Sequence, residues 1–160
     1  MADIFISFIH EEGEIAEALQ AFINESYQSQ KVFLSSDQWQ VFAGEDWLQR
    51  IRDELKSARV VILLLSKRSV VRPWVNFEAG AAWLTDKKII PACIGDLDKG
   101  DLQKPYSNLQ ALNLPADAYF LLTSIAHHLT LISPPPGYIE EKSSWLGILQ
   151  RKIEATSPAV

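Results

Sequence analysis

The sequence is poor in the residues that mark several large classes of protein. It contains one cysteine, Cys93, so no disulfide can form within the chain, and a reducing compartment fits better than secretion. A net charge of −5 and a pI near 5.2 argue against a broad basic face for nucleic acid or anionic membranes. No apolar run reaches the roughly 20 residues of a transmembrane helix, and nothing resembles a signal peptide. We therefore expect a cytosolic globular domain without nucleic-acid or membrane partners.

Several short chemical motifs are also missing. The sequence has no cysteine pair and no His-x-x-x-His spacing, so it predicts no metal site. It has no glycine-rich phosphate loop, and the first turn, "FIHEEG", cannot serve as a dinucleotide fingerprint. Cys93 lies in the apolar run "KIIPACIG" with no histidine or acid fixed beside it by sequence, so we do not expect a cysteine nucleophile. No bound cofactor is predicted.

Short apolar runs alternate with amphipathic segments along the first 95 residues. The runs predict strands at 3–9, 31–36, 59–66 and 88–95. The segments between them predict helices at 13–27 and 45–58 and a third that begins near Pro73, a residue suited to a first helical turn. This order predicts an α/β fold, a parallel sheet flanked by helices and joined by right-handed crossovers.

The rest of the chain is less regular. Residues 96–116 predict irregular structure with one short helix, and residues 117–132 predict a longer one. "SPPPG" at 133–137 is a stiff break, and "SSWLGILQRKIEA" after it is an amphipathic helix. We therefore divide the chain into a domain at 1–132 and a tail at 133–160, which is too small to be a domain. The sequence leaves open whether the tail packs on the domain or links it to a partner.

One acid stands out in the stretch "RPWVNFEAGAAWLTD". Glu78 is the only charged residue between Pro73 and Thr85, and a carboxylate in such surroundings is costly to desolvate unless it is paired or functional. Helical spacing places Trp74 one turn before it on the same face. The structural alternative is a carboxylate near a helix start, solvated or paired with Arg72, beside a packing tryptophan. From the residues alone this alternative is the commoner case.

The loops that should follow the strands form a second group of candidates. Ligands of open parallel sheets bind at the carboxyl ends of the strands, where residues 8–11, 36–44 and 66–74 should gather. His10 is one of them, although a histidine there is most often an ordinary loop residue. On the late helix, we expect one of His127 and His128 to be exposed and the other to take part in packing.

Four segments in order resemble a known family. They are "DIFISF", "VFLSSDQWQVFAGEDWLQRIRDEL", "ARVVILLLSKRSVVRPWVNFEAGAA" and "KKIIPACIGD". Together they resemble a TIR (Toll/interleukin-1 receptor) domain, most of all its bacterial, NAD-consuming branch, over about residues 2–132. The resemblance implies a flavodoxin-like TIR fold with a central parallel sheet of about five strands and helices on both faces. It also places the family's BB loop at residues 37–44.

The same resemblance implies roles for particular residues. Enzymatic members carry W-x-x-x-E on helix C, which "WVNFE" reproduces, so Glu78 corresponds to the catalytic glutamate and Trp74 to the aromatic beside it. In the animal axon-degeneration NADase, two basic residues after the first strand contact NAD and an acid precedes the BB-loop glycine; this chain has Ile9, His10 and Phe42 there. The positions that the resemblance assigns to NAD+ binding are Phe8, Ile9, His10, Ser36, Asp37, Trp39, Phe42 and Trp74. NAD+ would be a substrate and not a cofactor.

The function that this implies is cleavage of the nicotinamide–ribose bond of NAD+, giving nicotinamide and linear or cyclic ADP-ribose, in bacterial immune signalling against phage. The main alternative is a non-catalytic module that binds other TIR domains through the BB loop, where Trp39, Val41 and Phe42 are apolar. An effector or sensor protein is a further partner under either interpretation. A response-regulator receiver does not fit, because it needs an aspartate where Ser66 stands. A glutamate-based nucleoside-processing transferase is a minor alternative.

Overall fold

The computed structural model describes residues 1–38, 43–44 and 46–156, and within them a five-stranded parallel sheet. The strand order is β2-β1-β3-β4-β5. The strands are β1 (Ile4–Phe8), β2 (Val32–Ser36), β3 (Val60–Leu65), β4 (Lys88–Cys93) and β5 (Leu112–Asn113). All four strand pairings are parallel, as the alternation of strands and helices predicts.

The strands differ in burial according to their place in the sheet. Every residue of β3 is buried, which explains its continuous apolar sequence, since a central parallel strand is covered on both faces. The edge strand β2 is only partly buried over Val32–Leu34. In β1, Ser7 pairs in register with Ser35 of β2 and with Leu63 of β3. These pairings bring two serines side by side near the carboxyl edge of the sheet.

Helices cover both faces of the sheet. The helices are α1 (Gly13–Ser26), α2 (Trp47–Ser57), α3 (Pro73–Leu84), α4 (Ala118–Leu129), α5 (Tyr138–Glu141) and α6 (Ser143–Thr156). The buried residues of α1, α4 and α6 form one apolar core with the sheet, and those of α2 and α3 form a second core on the opposite face. Asp46 is the N-cap of α2, and its side chain accepts a hydrogen bond from the Gln49 N–H. Helix α3 begins at Pro73.

Two regions differ from the sequence prediction. The helix predicted over 117–132 ends at Leu129, because Thr130 has a left-handed backbone with φ of 58°. Residues 96–116, predicted as irregular with one short helix, contain two short 3₁₀ turns and the strand β5. A strand of two residues is too short to show an alternating pattern, so sequence periodicity could not reveal it.

The tail helices pack against α1. Leu149 and Ile153 of α6 are buried in the core beneath α1. The Tyr138 hydroxyl lies 3.0 Å from the hydroxyl oxygen of Ser26, and Lys142 pairs with Glu25 at 2.9 Å. The structure therefore places the tail, as far as Thr156, on the body of the fold.

Candidate active site

Glu78 lies in the interior, at the contact between α3 and the sheet. Its side chain is 1% exposed. One carboxylate oxygen accepts a hydrogen bond of 2.6 Å from the Ser7 hydroxyl on β1, and the other accepts one of 2.6 Å from the Ser35 hydroxyl on β2. The sheet register explains the arrangement, since Ser7 and Ser35 are paired neighbours that point to the same face. Each oxygen of the carboxylate is thus held by one strand.

Burial controls the ionisation of this group. Loss of solvation raises the pKa of Glu78 to about 7, and hydrogen bonds from Ser35 and Ser7 oppose that rise. Trp74 also lowers the pKa, although its buried indole N–H forms no hydrogen bond of normal geometry with the described residues. A carboxyl group with a pKa near 7 exists in both charge states at neutral pH, which is typical of catalytic acids and bases.

Trp74 connects Glu78 with a depression on the surface. Its ring packs edge-on against Trp47, with ring centroids 5.1 Å apart and planes inclined at 68°. Both tryptophans line an open depression together with Gly44, Asp46 and Leu48. The depression lies where the BB-loop segment joins α2, and the two tryptophan rings form its aromatic wall. Trp74 is the ring of this wall that lies next to Glu78.

A group of ion pairs joins the loops beside this site. Arg72, just before α3, pairs with Glu11 at 2.7 Å and with Asp37 at 3.4 Å. Asp37 also accepts a hydrogen bond of 2.7 Å from the backbone N–H of His10. These ion pairs hold together three segments: the loop after β1, the loop after β2 and the start of α3. The interpretation of Glu78 as a partner of Arg72 is wrong, because Arg72 binds these other acids and Glu78 binds serines.

The other candidate residues are distributed over both faces of the sheet. Phe8, His10 and Ser36 line a separate depression beside α1, on the face opposite Glu78. Ile9 is fully buried in the core beneath α2 and α3. Trp39 and Phe42 lie outside the described residues. Among the candidates with described positions, the structure brings Trp74 and Glu78 together and separates Phe8, His10 and Ser36 from them.

A comparison with protein families identifies the fold family. The model of the TIR domain matches residues 4–121, more than two thirds of the chain. The chain belongs to the TIR domain family. Its five-stranded parallel sheet with flanking helices is the flavodoxin-like fold expected of that family.

The chain was also compared with solved structures and with curated proteins. A solved structure of the activated Roq1 resistosome directly recognizing the pathogen effector XopQ (TIR domains) is similar, with 14% identity and a TM-score of 0.48. The similarity covers 96% of this chain and 84% of that one. A search of curated proteins finds no match.

Sequence reasoning missed the two serines that hold Glu78 in this TIR domain. Both were visible as polar residues within otherwise apolar strands, in "IFISF" and "VFLSS". Their register with each other depends on how β1 and β2 pair, which the sequence does not state. A hydroxyl inside a buried strand is a usable signal, because buried polar groups are nearly always hydrogen-bonded.

Three further side chains that the sequence singles out are Cys93, His127 and His128. Cys93 is buried, and burial raises the pKa of its thiol to about 11, which disfavours the reactive thiolate. His127 is exposed and His128 is partly buried, as expected. Within the described part of the chain, no cluster of three or more His, Cys, Asp or Glu residues could hold a metal ion. No described helix is long and apolar enough to cross a membrane.

Proposed function

We propose that this TIR domain cleaves the nicotinamide–ribose bond of NAD+, with Glu78 as the catalytic carboxylate. The observation that carries the proposal is the state of Glu78: it is buried, fixed by two serines and tuned to a pKa of about 7. The W-x-x-x-E spacing of Trp74 and Glu78 supports it, and so does membership of the TIR family.

The reaction can proceed with a single carboxylate. Most glycosidases need two, because the leaving oxygen must be protonated while positive charge on the sugar is stabilised. Nicotinamide leaves as a neutral molecule, since the electron pair of the broken bond neutralises its cationic ring. The ribose becomes oxocarbenium-like, and an ionised Glu78 stabilises that positive charge electrostatically. Attack by water then gives ADP-ribose and a proton, while attack by a nucleophile within the same molecule gives a cyclic isomer.

Access to Glu78 requires movement of the aromatic wall. Because the carboxylate is 1% exposed, a ribose reaches it only when Trp74 turns aside or the neighbouring BB-loop segment shifts. In this proposal the displaced indole stacks on the nicotinamide ring. The ribose hydroxyls then donate to Glu78 in place of a serine hydroxyl. We propose that Asp37, at the end of β2, contacts the rest of the substrate together with Trp39 and Phe42 of the BB loop. The side chain of His10 lines the depression on the opposite face, so in this proposal His10 contributes through its backbone N–H, which holds Asp37.

The test is an assay of the purified protein with NAD+, with and without a crowding agent. Products are separated by chromatography against nicotinamide, ADP-ribose and its cyclic isomers. We expect Glu78→Gln and Glu78→Ala to lower nicotinamide release by about 10²–10³ or more, since removal of one such electrostatic contact has that effect. Glu140→Gln, an exposed acid on α5, is the matched control and should retain the activity. Wild-type rates in Glu78→Gln, with circular dichroism showing a folded protein, would reject the assignment.

The proposal extends to bacterial antiphage signalling in the cytosol, on the strength of the family resemblance. In a bacterial host, the wild-type gene should reduce phage yield and the Glu78→Gln gene should not. Equal protection by both genes would remove this part of the proposal.

A second candidate function is association with other TIR domains. The outward side of α3 and the turn before it expose four apolar side chains, each between 68% and 75% exposed: Val71, Phe77, Trp83 and Leu84. Large apolar side chains that are exposed along one helix and the turn before it are candidates for a protein interface. We call these four residues the α3 patch. Association through it is compatible with catalysis.

A further inference from the structure

A second buried acid lies at the same edge of the sheet, on the face opposite Glu78. Glu12 closes the 3₁₀ turn that follows β1 and is 3% exposed. Its Oε1 atom is buried and has no hydrogen-bond partner among the described residues. Burial raises the pKa of Glu12, while the hydroxyl of Ser66 and the charge of Arg68 lower it. Unsatisfied buried acceptors are rare and costly, so a ligand that donates a hydrogen bond to this oxygen would be stabilised there.

Glu12 faces a hollow at the topological switch point of the sheet. The chain leaves β1 toward β2 on one side and leaves β3 toward β4 on the other, so a crevice opens between the ends of β1 and β3. Open α/β sheets bind ligands in this crevice. The polar residues that line the hollow are Glu12, Ser66, Lys67, Arg68, Asp96 and Thr156. It is separate from Glu78, which lies beneath α3 on the other face.

The tail helix forms one wall of this hollow. Ile153 and Thr156 of α6 line it, opposite the turns that follow β3 and β4. The TIR family match ends at residue 121, so this wall comes from a part of the chain that the match does not include. The hollow encloses a volume of about 80 Å³ and is open to solvent, so a ligand would place one end inside it and extend through the mouth.

The charges around the hollow indicate what it would bind. Lys67 is exposed and forms no ion pair within the described part of the chain. The nearest acid to Arg68 is Glu11, at the long distance of 3.9 Å. The exposed acid Asp96 also lines the hollow, so the two cations, and not the net charge, are what would bind an anionic group, of which phosphate is the common one. The buried carboxylate favours hydroxyl donors deeper in the hollow, as acidic residues do when they bind a ribose in other α/β folds.

We propose that the hollow binds a small sugar phosphate, whose hydroxyls donate to Glu12 and whose phosphate lies beside Lys67 and Arg68. This site is independent of NAD+ cleavage, because none of its residues contacts Glu78 or Trp74. A ligand there would bridge the strand ends and the tail helix.

The test is a titration of the isotope-labelled protein followed by NMR, with ribose 5-phosphate as the probe. We use concentrations up to about 10 mM, which would largely occupy a site with a Kd of about 1 mM. We expect the amide signals of Lys67, Gly95 and Thr156 to shift. Ribose alone and inorganic phosphate alone, as separate arms, should each bind at least about tenfold more weakly. Equal binding of inorganic phosphate would overturn the sugar assignment, and no shift with ribose 5-phosphate would overturn the site.

Two variants test which residue binds the sugar hydroxyls and which binds the phosphate. Glu12→Gln keeps the shape of the side chain and should lower affinity for ribose 5-phosphate by about tenfold, because it loses a charged acceptor. Lys67→Ala should also weaken ribose 5-phosphate binding without changing the weak binding of ribose. Glu17→Gln, an exposed acid on the helix α1 that follows Glu12, is the control and should bind as the wild type does. Unchanged affinity in a folded Glu12→Gln protein would refute the proposal.

Discussion

The Ser7 hydroxyl and the Glu78 carboxylate are joined by a buried hydrogen bond of 2.6 Å, although 71 positions separate them in the chain. The bond joins β1, an interior strand of the sheet, to α3 and holds an acid in the interior, where Ser35 holds the other oxygen. Hydrogen bonds to a charged form favour that form, while burial favours the neutral one. The balance between these two effects sets the pKa of Glu78.

The first prediction concerns stability and pH. Burial raises the pKa of Glu78 to about 7, above its ordinary value, so this group's contribution to stability is complete at low pH and is lost as the pH rises through 7. The loss amounts to about 3 kcal/mol between about pH 4 and about pH 8. Glu78→Gln cannot ionise and should not show it. Urea unfolding at both pH values should therefore show that the free energy of unfolding of Glu78→Gln, relative to the wild type, is higher at about pH 8 than at about pH 4. The same difference between the two proteins at both pH values would contradict the raised pKa.

The second prediction concerns the serines and the rate of NAD+ cleavage. The ionised form of Glu78 is the stabilising one, so nicotinamide release should increase as the pH rises through about 7. Ser7→Ala or Ser35→Ala removes a donor, which should raise the pKa of Glu78 and move this profile to higher pH. The rate at pH 7 should fall about tenfold. Ser35→Thr, which keeps a hydroxyl, should restore much of it.

The control for the serines is Ser124→Ala on α4, whose hydroxyl donates to the Phe120 carbonyl of its own helix. Carbon-13 NMR of the Glu78 carboxyl group measures its pKa without relying on catalysis. A shifted pKa with no NAD+ cleavage by any variant would support the positioning role of the serines and reject the enzymatic function. Identical pKa values in Ser35→Ala and wild type would reject the positioning role.

The third prediction concerns association. If the α3 patch is an interface, the mass measured by light scattering should increase with protein concentration for the wild type. Trp83→Glu places a charge in the patch and should keep the protein monomeric, because burial of an unpaired charge is unfavourable. Ile132→Glu replaces another exposed apolar residue, away from α3, and should behave as the wild type does. Loss of association in both variants would show that the patch has no special role.

The fourth prediction concerns the tail. Leu149 is 3% exposed in the core beneath α1, and the adjacent Ile148 is 36% exposed. Leu149→Ala should lower the free energy of unfolding by about 2–5 kcal/mol, as deletion of a buried leucine does. Ile148→Ala should change it by about 0.5 kcal/mol or less. Equal, small effects in denaturant unfolding would mean that the tail is not part of the cooperative unit.

The sheet and most of the helices could be predicted because their signals are local. A continuous apolar run such as 59–66 specifies a central strand, and helical spacing specifies α1 and α3. Strand β5 gave no such signal, because two residues cannot display a period. The packing of the tail was left open for a similar reason: an amphipathic helix shows that it has a buried side, but not which surface covers it.

The site could be predicted in part, for the same physical reason. The apolar surroundings of Glu78 are a local property, so the sequence indicated an unusual acid. Its partners Ser7 and Ser35 are brought to it by strand pairing, which periodicity does not encode. Nothing in the sequence distinguishes Glu12 from the acids around it, and only the fold reveals its burial. Because successive side chains of a strand point to opposite faces of the sheet, Phe8 and Ser36 lie on the face opposite Ser7 and Ser35.

The ion pairs of Arg72 with Glu11 and Asp37 have a consequence for how the protein responds to its solution. The three side chains are between 17% and 37% exposed, so dissolved ions can screen their attraction, while the buried bonds of Glu78 are shielded. Raising the ionic strength should therefore loosen the loops around His10 and Asp37 well before it weakens the sheet. Any ligand that relies on those loops would lose affinity in concentrated salt while the melting temperature stays nearly constant.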